Sequence, residues 1–101
     1  MILYNVTINV DDNYHDEWLK WMQEVHIPQV LATRLFKSHT MYRILSRHEE
    51  ETGTTYSVQY FLETMEDFER YRDEFAPALQ KDTFDEFGEH FSAFRTLLET
   101  V

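Results

Sequence analysis

The sequence predicts an α+β fold in which one four-stranded antiparallel sheet carries its helices on a single face. Three observations support this prediction. Four segments have the alternation or composition of strands, two longer segments repeat their apolar residues with the period of a helix, and the order along the chain is βαββαβ. Right-handed crossovers join strands in this order into one sheet with both helices on the same side, the ferredoxin-like topology.

The N-terminal third predicts a strand followed by a long amphipathic helix. Ile2 to Val10 alternates strictly, as a half-buried strand does. Asp11 to Phe36 has helical periodicity up to a His-Ile-Pro corner, where Pro28 disfavours the α conformation of the preceding residue. We therefore expect regular helix to end or kink near His26. At about 100° per residue, the apolar arc of this helix comprises Tyr14, Trp18, Leu19, Trp21, Met22 and Val25.

The middle of the chain predicts two strands joined by an acidic turn. Phe36 to Arg47 is rich in β-forming residues and is assigned to the second strand. Arg47 to Gly53 forms the turn, in which the glycine is available for a positive φ. Thr54 to Leu62 alternates again and is assigned to the third strand.

The C-terminal part predicts a broken helix and a last strand. Thr64 opens the helix through a sequence that resembles a capping box. Pro77 breaks or restarts this helix, and Gly88 has the place of a C-terminal capping glycine. Phe91 to Leu98 is assigned to the fourth strand. The apolar residues of the broken helix are Phe68, Tyr71, Phe75, Leu79, Phe84 and Phe87.

Composition limits the possible functions. The chain has 101 residues, enough for one domain over residues 1–101, and a formal net charge of −10, which disfavours nucleic acid and anionic membranes as partners. It has no cysteine, and its N-terminus lacks the basic region of a signal peptide, so we expect a cytoplasmic protein. Metal-ligand motifs are missing and two glycines cannot build a phosphate loop, so we expect neither a metal nor a cofactor.

The sheet face opposite the helices is a candidate ligand site. Apolar surface with a few polar groups is typical of small-molecule sites, and arginines suit an anionic group of the ligand. The alternative is that the arginines pair with acidic residues across a subunit interface. The register of the second and fourth strands stays open, because both faces of each are mixed. The residues assigned to this face are Asn5, Thr7, Asn9, His39, Met41, Arg43, Ser57, Gln59, Phe61, Ala93, Arg95 and Leu97, of which Asn5, Thr7, Arg43, Gln59 and Arg95 are the candidate ligand-binding residues.

Two histidines are candidates for acid–base chemistry. His26 lies at the edge of the apolar arc, and His39 lies on the second strand. A histidine at a cavity transfers protons near neutral pH. The alternative for His26 is a partly buried side chain that caps the last carbonyls of its helix. A cavity histidine held neutral has a lowered pKa, whereas a cap at a helix C-terminus has a raised one.

Four segments resemble one family across nearly the whole chain. MILYNVTINVDD, DEWLKWMQEVHIPQVLAT, TTYSVQYF and HFSAFRTLLE are similar to small bacterial proteins known only as a domain of unknown function. The resemblance implies a dimeric α/β barrel, in which two sheets face each other across a shared cavity. The His-Ile-Pro corner also resembles the His-x-Pro of small dimeric-barrel proteins linked to catabolic and polyketide-cyclising pathways, which implies that His26 faces the cavity.

Three functions remain open on these grounds. The first is a homodimer that binds a small molecule between its two sheets. The second is a cofactor-independent enzyme, such as a cyclase, isomerase or monooxygenase-like protein, that acts on a small anionic or aromatic substrate. The third is a structural or interaction module without a ligand. We expect a homodimer in each case, because the helix-free face would otherwise expose Leu3, Met41, Phe61 and Leu97.

Overall fold

The computed structural model describes residues 1–46 and 48–101 and has the predicted α+β, ferredoxin-like architecture. Its antiparallel sheet has the order β2-β3-β1-β4. The strands are β1 (Ile2–Val10), β2 (Ser38–Arg43), β3 (Thr54–Leu62) and β4 (Phe91–Glu99). The helices are α1 (His15–Trp21), α2 (Ile27–Leu31), α3 (Met65–Glu74) and α4 (Ala76–Phe87). Within the described part of the chain, no helix combines the length and apolarity needed to cross a membrane.

The core lies between the helices and one face of the sheet. Alternate residues of β1 and β3 enter it, as strict alternation predicts, and Trp18 of α1 is fully buried against them. Pairs of aromatic rings fill much of this space, among them Tyr4 against Phe36 and Tyr71. The largest fully buried side chains are Trp18, Tyr60, Met22, Leu62, Val10, Val30 and Val58.

The first helical segment does not stop at the His-Ile-Pro corner. A single π-helical turn, Met22–His26, joins α1 to α2, and the Ile27 N–H donates to the Met22 carbonyl five residues back. The wider turn accommodates Pro28, whose ring would clash with a carbonyl in a regular helix. It also adds a residue to the helical repeat, so the predicted arc fails at Val25, which is 37% exposed.

The placement of the outer strands on the two faces of the sheet was predicted wrongly. Tyr60 pairs with His39, Val58 with Met41 and Tyr56 with Arg43, so these β2 residues lie on the helix-covered face. In β4, Val6 pairs with Arg95, Ile8 with Ala93 and Tyr4 with Leu97, which places these β4 residues on the helix side as well. The helix-free face instead carries Ser38, Thr40, Tyr42, Ser92, Phe94, Thr96 and Leu98. Both strands lie at the edges of the sheet, and polar and apolar residues are mixed on both of their faces. The order of polar residues therefore does not show which side chains face the helices.

The turns and caps follow the sequence closely. The Thr64 hydroxyl accepts from the Asp67 N–H and begins α3, and α4 restarts with a proline in its first turn. Gly53 and Gly88 have φ of 76° and 55°, as expected for a turn and a helix end. β2 is shorter than predicted, and the prediction for Arg47 lies outside the described residues.

Candidate functional site

A cavity lies between the sheet and the helices of a single chain. Its inner part has a volume of about 50 Å³, and an outer cleft of about 350 Å³ adjoins it. The two spaces share Tyr4, Tyr71, Gln80 and Arg95 in their walls. The cleft is large enough for a small organic ligand, because ligand sites typically enclose about 300–1,000 Å³. From the sequence we expected the site on the helix-free face, whereas this cavity lies on the helix-covered side of the sheet.

His26 reaches the inner part of the cavity from the end of the π-helical turn. Its ring stacks on Trp21 at 5.3 Å between centroids, with 22° between the planes. Its Nδ1 lies 3.4 Å from Oγ1 of Thr83 on α4. The pKa of His26 is lowered to about 4, mainly by burial and also by the positive charge of Arg95, while Asp82 acts in the opposite direction. The imidazole is therefore neutral at pH 7, as expected of a cavity histidine.

Tyrosine hydroxyls form the second polar feature of the cavity. Tyr4, Tyr60 and Tyr71 all line it, with ring centroids 6.1 Å apart for Tyr4 and Tyr60 and 5.7 Å apart for Tyr4 and Tyr71. Burial raises the pKa of each tyrosine, and interaction with Arg95 partly offsets this for Tyr4 and Tyr71. All three phenols therefore keep their protons at neutral pH and can donate hydrogen bonds to a ligand.

Arg95 supplies a positive charge where the inner cavity meets the outer cleft. It lies in β4, a sheet edge, and is exposed. It interacts with the Tyr4 hydroxyl, and no ion pair joins it to an acidic residue in the described part of the chain. An arginine without a carboxylate partner in a chain of net charge −10 is suited to an anionic ligand group.

Three predicted ligand-binding residues lie on the opposite face of the sheet. The Ser57 hydroxyl donates to Asn5 Oδ1 at 2.5 Å, and the Asn5 amide donates to the Thr7 hydroxyl at 3.0 Å. The Gln59 amide donates to the Ser57 hydroxyl at 3.3 Å. This outer-face network, formed by Asn5, Thr7, Ser57 and Gln59, links β1 to β3 and does not reach the cavity walls.

Two other predicted residues lie on the helix-covered face but away from the cavity. Arg43 donates to the Tyr56 hydroxyl at 3.2 Å, and His15 Nε2 lies 2.5 Å from the same oxygen. His39 is exposed on β2, with its ring 6.4 Å from that of Tyr60. Of the seven candidates named from the sequence, the structure brings only His26 and Arg95 together.

Several polar cavity residues were not recognised from the sequence as site residues. Tyr4, Tyr60 and Tyr71 were assigned to the apolar core, while Gln80 and Thr83 were not considered. The available signal was the tyrosine hydroxyl, because a buried phenol needs a polar partner or a polar space. No sequence signal pointed to Thr83, whose role depends on the packing of α4 against the π-helical turn.

Comparisons with known proteins agree with this fold. A family model described as a domain of unknown function matches residues 1–101. HapK from Hahella chejuensis superposes with a TM-score of 0.72 at 12% identity, covering 100% of this chain and 93% of its own. An ethyl tert-butyl ether (EthD) family protein from Bacillus halodurans gives 0.67 at 13% identity, with 100% of both chains covered.

A third similar structure is that of a dimeric protein. It is a dimeric ferredoxin-like protein from an uncultured marine organism, with a TM-score of 0.64 at 12% identity, covering 99% of this chain and 94% of its own. No curated protein matches the sequence significantly. At these identities the structural neighbours establish the fold alone.

Proposed function

The chain belongs to that family of unknown function, DUF4286, and we propose that it binds a small molecule with an anionic group in the cavity between its sheet and helices. The main support for the proposal is that Arg95, Tyr4 and Tyr71 all line the outer cleft, with both tyrosine hydroxyls protonated. All of these groups donate hydrogen bonds, so the complementary ligand group is an acceptor.

The charge distribution favours an anion over a neutral acceptor. A guanidinium next to apolar walls is screened less than one in open water, so its interaction with a carboxylate, phenolate or enolate is stronger there. The walls of the outer cleft include Phe68, Ala76 and Leu97, which suit the apolar body of such a ligand. A small aromatic or aliphatic acid therefore fits both parts of the site.

We propose further that two chains associate through the helix-free face. Phe94, Tyr42 and Leu98 on this face are 63%, 53% and 47% exposed, which is unusual for three large side chains on one sheet surface. The dimeric ferredoxin-like protein from the marine organism, which shares this fold, is consistent with such an assembly. Because the cavity opens on the other side of the sheet, sheet-to-sheet association leaves it accessible.

Titration with 8-anilinonaphthalene-1-sulfonate, an anionic aromatic probe, tests the binding proposal. We expect saturable binding detected by probe fluorescence. Arg95→Gln should weaken it by roughly 10- to 150-fold, because a charged hydrogen bond contributes about 1.5–3 kcal/mol. Arg70→Gln is the matched control, since Arg70 is an exposed α3 residue paired with Glu74 at 3.0 Å. Equal affinity of the two variants, or no binding by the unmodified protein, would contradict the proposal.

A cofactor-independent enzyme is the second candidate, and the neutral imidazole of His26 at the cavity wall favours it. A structural module without a ligand remains the third. It predicts that substitutions at the cavity change stability and dimerisation but leave probe binding unaffected. The titration above therefore separates it from the other two.

A further inference from the structure

The hydroxyl of Thr83 contacts both the Leu79 carbonyl and the His26 ring. This hydroxyl has a single hydrogen, and it donates to the Leu79 carbonyl at 3.1 Å. With its hydrogen used in this way, the Thr83 oxygen can only accept a hydrogen bond from His26 Nδ1, which lies 3.4 Å away. An acceptor at this position requires an N–H on Nδ1. The contact is longer than the usual 2.7–3.2 Å, as is common for catalytic hydrogen bonds before a ligand is bound.

The other ring nitrogen, Nε2, is therefore the free basic atom. A neutral imidazole has one N–H, so a proton on Nδ1 leaves a lone pair on Nε2. Among the described residues, Nε2 has no hydrogen-bond partner, and the one buried, unpaired side-chain nitrogen or oxygen is Nε1 of Trp18. Nε2 is thus not sealed inside the protein, and the ring that carries it lines the cavity.

We propose that Thr83 is a positioning residue that holds His26 as its Nδ1–H tautomer, and that the cavity transfers protons on ligands with an acidic O–H or C–H next to an oxygen. This inference rests on the binding site proposed above. In this arrangement Nε2 accepts the proton and the ligand oxygen faces Arg95 and the phenols. The suitable substrates are phenols, enols and carbonyl compounds with an acidic α-carbon.

The proposed step balances within the site. For a carbon acid, the C–H bond breaks, the N–H bond on Nε2 forms, and the electron pair moves onto the carbonyl oxygen. The ligand becomes an enolate, the imidazole becomes an imidazolium, and the total charge does not change. Arg95 and the phenols of Tyr4 and Tyr71 stabilise the new negative charge as hydrogen-bond donors. The imidazolium then returns its proton to carbon or oxygen, or first exchanges it with solvent, so no other reactant is consumed.

Proton-coupled ¹⁵N NMR of the imidazoles tests the tautomer directly in the unliganded protein at neutral pH. We expect His26 to be neutral with its proton on Nδ1. Thr83→Val should shift the population towards Nε2–H, and Thr83→Ser should restore Nδ1–H because it keeps the hydroxyl. A purely structural role for Thr83 would not move the tautomer. An Nε2–H tautomer or an imidazolium in the unmodified protein would overturn the inference.

Exchange of the central C–H of 2,4-pentanedione in D₂O tests the proton transfer. We expect the protein to accelerate exchange, His26→Asn to reduce this acceleration by about 10²-fold, and His39→Asn to leave it unchanged. Equal exchange rates with the unmodified protein and His26→Asn would overturn the assignment of His26 as the base. If the sulfonate probe still binds in that case, the binding proposal stands and only the proton transfer fails.

Discussion

The buried imidazole of His26 should make the protein less stable in mild acid, by an amount that follows from its pKa. In the unfolded chain this pKa is about 6.5, and in the folded protein it is about 4. Because the folded value is depressed, the unfolded chain binds the proton first. The stabilising contribution is therefore complete above the unfolded pKa and is lost as the pH falls from there towards 4.

The size of the effect follows from the same two values. The full shift corresponds to about 3 kcal/mol, of which about 2 kcal/mol is lost by about pH 5. Access of water through the cavity reduces this to about 1–2 kcal/mol. The charged groups that face the ring are Arg95 from β4, which deepens the shift, and Asp82 from α4, which opposes it.

Urea titrations between pH 8 and 5 measure this loss. His26→Gln removes the titrating group, so its stability should fall less with pH than that of the unmodified protein. His39→Gln is the control, because His39 is exposed on an edge strand. If the curves of the unmodified protein and His26→Gln run parallel, the imidazole titrates alike in the folded and unfolded chains. The reasoning about its burial would then be wrong.

Three other substitutions test the packing, a polar cluster and the assembly. Trp18→Ala should destabilise by about 3–5 kcal/mol in urea titrations, because a fully buried indole is lost; a change below about 1 kcal/mol would be inconsistent with its burial. Tyr56→Phe should cost about 1–2 kcal/mol by the same assay, since Arg43 and His15 lose their shared oxygen, and an unchanged midpoint would argue against this cluster. Phe94→Asp should convert the proposed dimer into a monomer by light scattering, and an unmodified protein already monomeric at micromolar concentration would refute the interface.

The fold could be predicted from the sequence because its central elements have clear periodicity. β1 and β3 alternate strictly, and their observed bounds match the predicted ones. Both are central strands with one face in the core, so a change of register would bury polar side chains. Thr64 and Gly88 mark helix ends for local reasons, namely a side-chain acceptor and freedom at positive φ, and these do not depend on the rest of the fold.

The site could be predicted only in part, because it depends on which face of a helix or strand each residue occupies and on how distant elements pack together. His26 was identified, but a constant helical repeat cannot anticipate the π-helical turn that turns Val25 outwards. Arg95 was identified as a ligand-binding candidate but assigned to the wrong face, because β4 is an edge strand whose two sides are equally mixed. Thr83 and Tyr71 come from helices far along the chain, and their proximity to His26 arises only through tertiary packing.

The alternation of β4 has a thermodynamic consequence. Arg95 points to the cavity side, while its neighbours Phe94 and Thr96 point to the helix-free face, so one strand forms part of two surfaces. A ligand that displaces β4 therefore also alters the surface through which two chains are proposed to associate. By linkage, the free energy by which the ligand strengthens or weakens the dimer equals that by which dimerisation changes ligand affinity. Probe affinity measured above and below the dimer dissociation constant would reveal this coupling, and identical affinities would show that the two surfaces are independent.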